Sequence, residues 1–329
     1  MPRWATVVIL AALLVAGGVV ALLVERGGSG GTGRAAGPRP PTTTAAASRP
    51  GPGTVLAGCP VLPADNAFNR DVSRAPVDPR SAVWLRSIGL DGHLHAGFAS
   101  TFHGIPFTIV GPGRRRVPIR FDAYGYESDP GPYPIPLDAP VERGTGDRHV
   151  IVLQRGTCRL YELFGARRTH EGWLASSGAT WDLRSNALRP KGWTSADAAG
   201  LPILPGLARA GEVATGRITH ALRFTTPRTQ RAYVAPARHL ATPDTDPDLP
   251  PMGLRVRLKA GYPLAGFHGQ AKVILQALKT YGLILADNGP AWHVTGAPDP
   301  RWDDADLRQL DRVRGSAFEA VQSGPLTTG

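Results

Sequence analysis

The sequence predicts a mainly β domain of the β-sandwich or jelly-roll type, with two or three short helices that lie mostly in its C-terminal third. Apolar and polar residues alternate over many short segments, and clusters of turn residues separate these segments. Helical periodicity is confined to a few stretches near the C-terminus. Many short strands with few helices favour packed sheets over a parallel α/β arrangement.

The candidate strands share this alternation and are bounded by turn residues. They are 106–110, 117–121, 149–154, 158–164, 178–183, 217–225, 231–235, 254–259, 283–286 and 291–295. A helix is predicted over 270–281, where apolar residues recur on one side and Gly282 follows in a C-terminal cap position. A second helix is predicted over 304–313, with acidic residues in its first turn. Asp287, Asn288 and Gly289 predict a hairpin turn between the last two strands.

The N-terminal segment is predicted to be a membrane anchor. Residues 4–24 are apolar and carry no charge, and at about 1.5 Å per residue they can cross a hydrocarbon core of about 30 Å. A cleaved signal peptide has a shorter apolar region and a small-residue cleavage site, which is missing directly after Val24. An uncleaved signal anchor over residues 1–26 is therefore favoured over a cleaved signal peptide. If the segment were cleaved, the protein would be secreted.

Residues 27–57 are predicted to form a disordered tether, and residues 58–329 a single extracellular domain. The tether is rich in Gly, Pro, Thr and Ala and has no aromatic residue, so it cannot bury enough apolar surface to offset the entropy of ordering. The segment 56–59 resembles the lipidation site of bacterial lipoproteins, but no apolar segment comes directly before it.

The chain has two cysteines, Cys59 and Cys158, which we predict to form a disulfide on the outer side of the membrane. Neither a CxxC motif nor a histidine cluster accompanies them, so no structural metal site and no cofactor are predicted.

The formal net charge is +11, of which +4 precedes residue 58 and about +7 belongs to the domain. The strongest basic run is Arg114–Arg116. Because aromatic residues do not interleave the basic ones, we expect no nucleic-acid partner. A basic surface that attracts anionic wall polymers and a simply solvated surface both remain open.

The segment 149–164 reads as two strands joined by a tight turn at Arg155 and Gly156. A two-residue turn would place His149 opposite Glu162 at the end of an otherwise apolar face. A carboxylate on such a face is costly unless it is paired. The pair is therefore either a structural contact or the start of a catalytic site.

The segment 181–207 contains residue types that suit a sugar-binding cleft. Aromatic faces stack on pyranose rings, and polar groups hold the hydroxyls. The candidate residues are Trp181, Asp182, Asn186, Arg189 and Trp193. Thr194 or Ser195 could instead cap a short helix that begins at Asp197.

A strand over 217–225 would place His220 on an apolar face and Arg223 on the opposite one. His220, His149 and His239 could converge, and an imidazole beside a carboxylate is suited to proton transfer. The sequence has no GxSxG, HExxH, P-loop or dinucleotide-binding motif that indicates another chemistry.

The stretches LYELF, GWTSADAAGLPILPGL, HALRF, PARH, PPMGLRVRLKA and ALKTYGLILADNG together resemble a family of secreted bacterial proteins that is frequent in actinobacteria. The resemblance extends from Cys59 to about Val321. It implies an exported protein with Cys59 and Cys158 as shared features, and it implies no activity.

We therefore expect an exported, membrane-tethered protein whose partner is a polysaccharide or cell-wall glycan. Two activities are considered, a polysaccharide lyase with His149, His220 and Arg223 at its site, and a glycoside hydrolase. The hydrolase needs two carboxylates, for which Glu162, Asp182 and Asp287 are candidates. The alternative is a non-catalytic cell-wall or glycan-binding module. Convergence of these side chains in one cleft would favour an enzyme.

Overall fold

A computed structural model describes residues 53–144 and 146–329. These residues are mainly β, in a sandwich-like arrangement with few short helices, which confirms the predicted fold class. The strands are β1 (Val55–Leu56), β2 (Cys59–Pro60), β3 (His95–Ala96), β4 (Phe107–Val110), β5 (Ile119–Phe121), β6 (Val150–Gln154), β7 (Arg159–Phe164), β8 (Arg167–Arg168), β9 (Trp173–Ala175), β10 (Ser177–Asp182), β11 (Leu222–Thr226), β12 (Ala232–Tyr233), β13 (Arg255–Leu258), β14 (Leu283–Asn288), β15 (His293–Val294), β16 (Phe318–Ala320) and β17 (Thr327–Thr328). The α-helices are α1 (Ser81–Ile88), α2 (Ala210–Val213), α3 (Gly269–Thr280) and α4 (Asp304–Leu307).

Two larger sheets carry the fold. One has the strand order β10-β7-β6-β4, and the other has the order β16-β13-β14-β11-β15-β3. Both sheets mix parallel and antiparallel pairs. The predicted hairpin through Asp287, Asn288 and Gly289 is wrong, because β11 lies between β14 and β15 and pairs with each of them.

The four-stranded sheet is buried on both faces. Ile151 and Leu160 point into a core that also contains Phe224 and Leu285 of the six-stranded sheet. Side chains of the opposite face, such as Val152, pack in a second cluster with β5 and β9. Full burial of each large aliphatic side chain contributes roughly 2 kcal/mol.

Helix α3 is displaced by one residue from its predicted bounds, and Gly282 follows it with the positive φ of +68° that a C-terminal cap requires. The second predicted helix is shorter than expected, since α4 ends at Leu307 and a 3-10 helix continues over Arg308–Arg312. The Asp303 carboxylate caps α4 by accepting hydrogen bonds from the backbone N–H groups of Ala305 and Asp306.

The register predicted for β6 and β7 is wrong by two residues. Ile151, not His149, lies opposite Glu162, because the connection is a four-residue turn over 155–158 that includes Gly156 and Cys158 at positive φ. A shift of two residues keeps every side chain on its predicted face. His149 and Glu162 therefore share a face without being direct cross-strand partners.

The predicted disulfide between Cys59 and Cys158 is confirmed. It joins β2 to the turn between β6 and β7 and closes a separation of 99 residues. Strand β1 pairs with β2, so Val55 and Leu56, which the sequence assigns to the tether, belong to a strand pair.

The predicted anchor and most of the predicted tether lie outside the described residues. Over residues 53–329, none of the described helices is both long and apolar enough to cross a membrane.

Candidate functional site

A cluster of charged and titratable side chains surrounds Arg223 on strand β11. The guanidinium donates two hydrogen bonds to Asp197 at 3.0 and 3.2 Å and one to the Thr295 hydroxyl at 3.1 Å. The nearest Asp287 oxygen is 3.9 Å from the same guanidinium. We call the set Glu142, His149, Asp197, Arg223, Asp287 and His293 the Arg223 cluster. Its six members come from four regions of the chain, which are 142–149, 197, 223 and 287–293.

A β-bulge positions Asp287. Phe224 pairs with Leu285, but the next residue, Thr225, pairs with Asp287, so that Ala286 is passed over. An extra residue of this kind reverses which side chain points to a given face. The bulge therefore turns Asp287 toward the face of the sheet that carries Arg223.

Thr225 also pairs with His293 on its other side. Asp287 and His293 thus flank the same residue of β11, and two strand spacings place their backbones roughly 10 Å apart. The His293 ring lies over Gly97, where an added Cβ would be 1.9 Å from Nε2. Only glycine at position 97 leaves room for this imidazole.

His149 is held by bonds at both ring nitrogens. Nδ1 lies 2.5 Å from the Glu142 carboxylate and Nε2 lies 3.0 Å from the backbone oxygen of Ala196. Both partners only accept hydrogen bonds, so both nitrogens carry a proton and the ring is an imidazolium. Burial opposes this charge, but the bond to Glu142 and its charge raise the pKa of His149. The ring is only 1 % exposed and leaves no nitrogen free for proton transfer with a substrate.

Two cavities reach this cluster. The first, which we call the Asp287 cavity, has a volume of about 660 Å³, and its walls include Asp147, Asp197, His239, Asp287 and Asn288. The second, which we call the His293 cavity, has a volume of about 510 Å³, and its walls include His95, Glu142, Arg143, His293 and Arg308. Arg223 contacts residues of both, since Asp197 and Asp287 line the first and Thr295 lines the second.

Each cavity contains a titratable group whose pKa is shifted toward the uncharged form. Burial and the negative charge of Asp197 raise the pKa of Asp287 to about 7, although its side chain is 21 % exposed. Burial and the neighbouring His95 lower the pKa of His293 to about 4. At neutral pH a large fraction of Asp287 is therefore protonated, and His293 is uncharged.

Glu162 lies apart from both cavities and has no exposed surface. Its oxygens accept hydrogen bonds from the backbone N–H groups of Ile203 and Leu204 and from the Trp181 indole, at 2.9–3.2 Å. Burial raises the pKa of Glu162 to about 7, while the two backbone donors oppose the rise. These contacts give Glu162 a structural position, where it anchors the turn that begins at Ile203.

The two tryptophans predicted to bind sugar are engaged with Arg189. The Arg189 guanidinium lies 5.6 Å from the Trp181 ring centre and 5.5 Å from the Trp193 ring centre. Asp182 and Asn186 are exposed and line neither cavity. Asp182 accepts a bond from Arg184, and Asn186 bonds to Asp65 and Asn66, so the structure does not bring these two residues to the cluster.

His220 belongs to a different network from His149. It precedes β11, and its Nε2 atom lies 3.1 Å from Glu212 and 2.9 Å from Arg209. His239 does line the Asp287 cavity, and its Nδ1 atom lies 2.9 Å from the backbone oxygen of Ala198. The three histidines therefore do not form one group.

The sequence predictions do not include Glu142 and His293 of the cluster or Asp147 of the Asp287 cavity, and the interpretation of Asp197 is wrong. No helix begins at Asp197. The hydroxyl groups of Thr194 and Ser195 donate hydrogen bonds to the backbone oxygen of Asp197, and the Asp197 carboxylate binds Arg223. Glu142 and Asp147 lie in an irregular segment without a pattern. His293 could have been found, because it is a polar residue within a predicted strand.

No group of three or more His, Cys, Asp or Glu side chains in the described part of the chain is arranged to hold a metal ion. The molecule is thus a mainly β protein with a buried charge cluster that reaches two cavities. No family model, curated protein or solved structure matches the chain. The resemblance to secreted actinobacterial proteins rests on the sequence stretches alone.

Proposed function

We propose that the protein is an exported, membrane-tethered, carbohydrate-active enzyme, and that it is a glycoside hydrolase with its site in the Asp287 cavity. The observation that carries the proposal is the position of Asp287. Its carboxyl group lies in the cavity wall, and the pKa of that group is raised to about 7. A raised carboxyl pKa beside a second, ionised carboxylate is the arrangement that glycosidases use.

In this mechanism protonated Asp287 donates its proton to the glycosidic oxygen as the bond to the anomeric carbon breaks. Asp147, an exposed residue in the wall of the same cavity, is the second carboxylate. It either activates a water molecule or attacks the anomeric carbon itself. Asp197 is unsuited to this role because its carboxylate is bound by Arg223.

The export part of the proposal is supported by two features. The apolar segment over residues 4–24 has the length of a membrane span. The Cys59–Cys158 disulfide is typical of proteins outside the cytoplasm.

A polysaccharide lyase is the second candidate, and the His293 cavity favours it. An uncharged imidazole can remove the proton α to a uronate carboxylate, after which the glycosidic oxygen leaves and a double bond forms. Arg143 and Arg308 line the same cavity and could neutralise the carboxylate. In the third alternative, a non-catalytic glycan-binding module, the same cavities bind sugar without reaction.

The test is incubation of the purified protein with glycol chitin, a neutral β-glucan and polygalacturonate. New reducing ends without a new ultraviolet absorbance support hydrolysis, whereas new reducing ends with the absorbance of an unsaturated uronate identify a lyase. Asp287→Asn should lower the rate of hydrolysis by about 10²- to 10⁴-fold, and His293→Gln should lower the rate of elimination to a similar extent. Asp182→Asn, which removes an exposed carboxylate outside both cavities, is the matched control and should keep full activity. If the protein binds a polymer but forms no products, both enzymatic functions are refuted and the non-catalytic glycan-binding module is supported.

A further inference from the structure

One exposed tyrosine lines the Asp287 cavity, and a second exposed tyrosine follows it two residues later in the chain. Tyr124 is 42 % exposed and lines the cavity, and Tyr126 is 73 % exposed. Glu127, the next residue, accepts a hydrogen bond from the backbone N–H of Thr194 at 2.7 Å and lies 3.9 Å from His239. Thr194 and His239 both line the cavity, so the segment 124–129 borders it.

This segment is fixed before any ligand binds. Arg189, which is buried, donates to the Glu127 backbone oxygen at 2.6 Å and to the Asp129 carboxylate at 2.7 Å. The same guanidinium is stacked against the two tryptophans. Binding sites whose backbone is already ordered lose less entropy when a ligand binds.

The segment is also attached to the edge strand β10. The Ser128 hydroxyl accepts a hydrogen bond from the Gly178 N–H at 3.1 Å, and Asp129 accepts one from the Thr180 N–H at 2.7 Å. The Ser128 hydroxyl donates in turn to the Tyr124 backbone oxygen. The exposed tyrosines are thus carried by a segment that a sheet edge and a buried arginine hold in place.

We infer that Tyr124 and Tyr126 form an aromatic rim on which a polysaccharide chain stacks its sugar rings as it enters the Asp287 cavity. The inference rests on the proposed function, since it assigns a polymeric glycan as the ligand of that same site. Tyrosine has a rigid apolar face and a polar tip, which suits the faces and hydroxyls of pyranose rings. Trp181 and Trp193 act on this rim indirectly, because they hold the arginine that positions the segment.

The test is affinity electrophoresis of the full chain in native gels that contain glycol chitin, the neutral β-glucan or polygalacturonate. At least one polymer should retard the protein. Tyr124→Ala and Tyr126→Ala should each raise the apparent Kd for that polymer about tenfold, while Tyr126→Phe should keep it near its original value. Ile109→Ala is the control, because Ile109 is an exposed apolar residue on β4, at the opposite edge of the four-stranded sheet.

The rim is refuted if none of the three polymers retards the protein, or if both alanine variants bind as tightly as the original chain. Full binding by those variants together with loss of turnover in Asp287→Asn would refute the rim and leave the hydrolase. Weakened binding by the variants, in a protein that forms no products, would support the rim and refute the hydrolase.

Discussion

Arg223 and Asp197 form a doubly hydrogen-bonded ion pair, at 3.0 and 3.2 Å, in which neither side chain is more than 3 % exposed. Burial opposes the charge on Arg223, but Asp197 raises the pKa of the guanidinium, so it stays charged. This pair holds a positive charge between Asp287 and Thr295 in the interior of the domain.

Removing one partner of the pair should destabilise the fold strongly. Arg223→Met leaves Asp197 buried without a counter-ion, which costs about 3–5 kcal/mol of unfolding free energy. Urea denaturation followed by circular dichroism measures this change. Arg228→Met breaks the exposed ion pair with Asp244 and should change stability little. A similar effect of both variants would contradict the prediction.

The activity of the Asp287 cavity should depend on pH with a limb near 7. A general acid must be protonated, so kcat/KM should fall as the pH rises above about 7, the pKa of Asp287. Asp287→Asn should lower kcat by about 10²- to 10⁴-fold and remove this limb from the residual activity. The measurement is the rate of formation of reducing ends across the pH range, and an unchanged profile in the variant would assign the limb to another group.

The titration of Glu162 should lower the free energy of unfolding as the pH rises. Its pKa is about 7 in the folded chain, against an ordinary value of 4.5, so the folded state keeps a proton that the unfolded state releases. Its contribution to stability is complete below about pH 4.5 and is lost as the pH rises to about 7, a change of about 3 kcal/mol.

Glu162→Gln should remove that loss, because the amide stays neutral. The free energy of unfolding in urea should therefore differ less between about pH 5 and about pH 8 in the variant than in the original chain. Asp182→Asn is the control, and it should keep the original pH dependence. Equal pH dependence in the original chain and in Glu162→Gln would show that Glu162 does not titrate in this range.

The disulfide should contribute substantially to stability. Closing a separation of 99 residues removes entropy from the unfolded chain, which corresponds to roughly 4–5 kcal/mol. The double variant Cys59→Ser, Cys158→Ser should therefore unfold at a lower urea concentration. Thiol labelling of the denatured, unreduced protein should find no free cysteine, and two reactive thiols would contradict the bond.

Features that depend on local pattern could be predicted from the amino-acid sequence. Alternation with a period of two residues indicated most of the strands, and it placed His149 and Glu162 on one face even though the turn was misjudged. The pattern of helix α3 and the glycine after it specified that helix to within one residue. The two cysteines, in a chain that the sequence predicts to be exported, were enough to predict their bond.

Which polar residues contact one another depends on the packing of the folded chain and could not be predicted. The neighbours of Asp197 can cap a helix and therefore suggest a helix start, yet Asp197 binds Arg223, which lies 26 residues away. The direction of Asp287 depends on a one-residue bulge against β11, and no local pattern specifies a bulge. The two nitrogens of His149 are occupied by groups from separate loops. Contacts between distant segments depend on how the sheets pack, whereas alternation reports only which face of its own strand a side chain occupies.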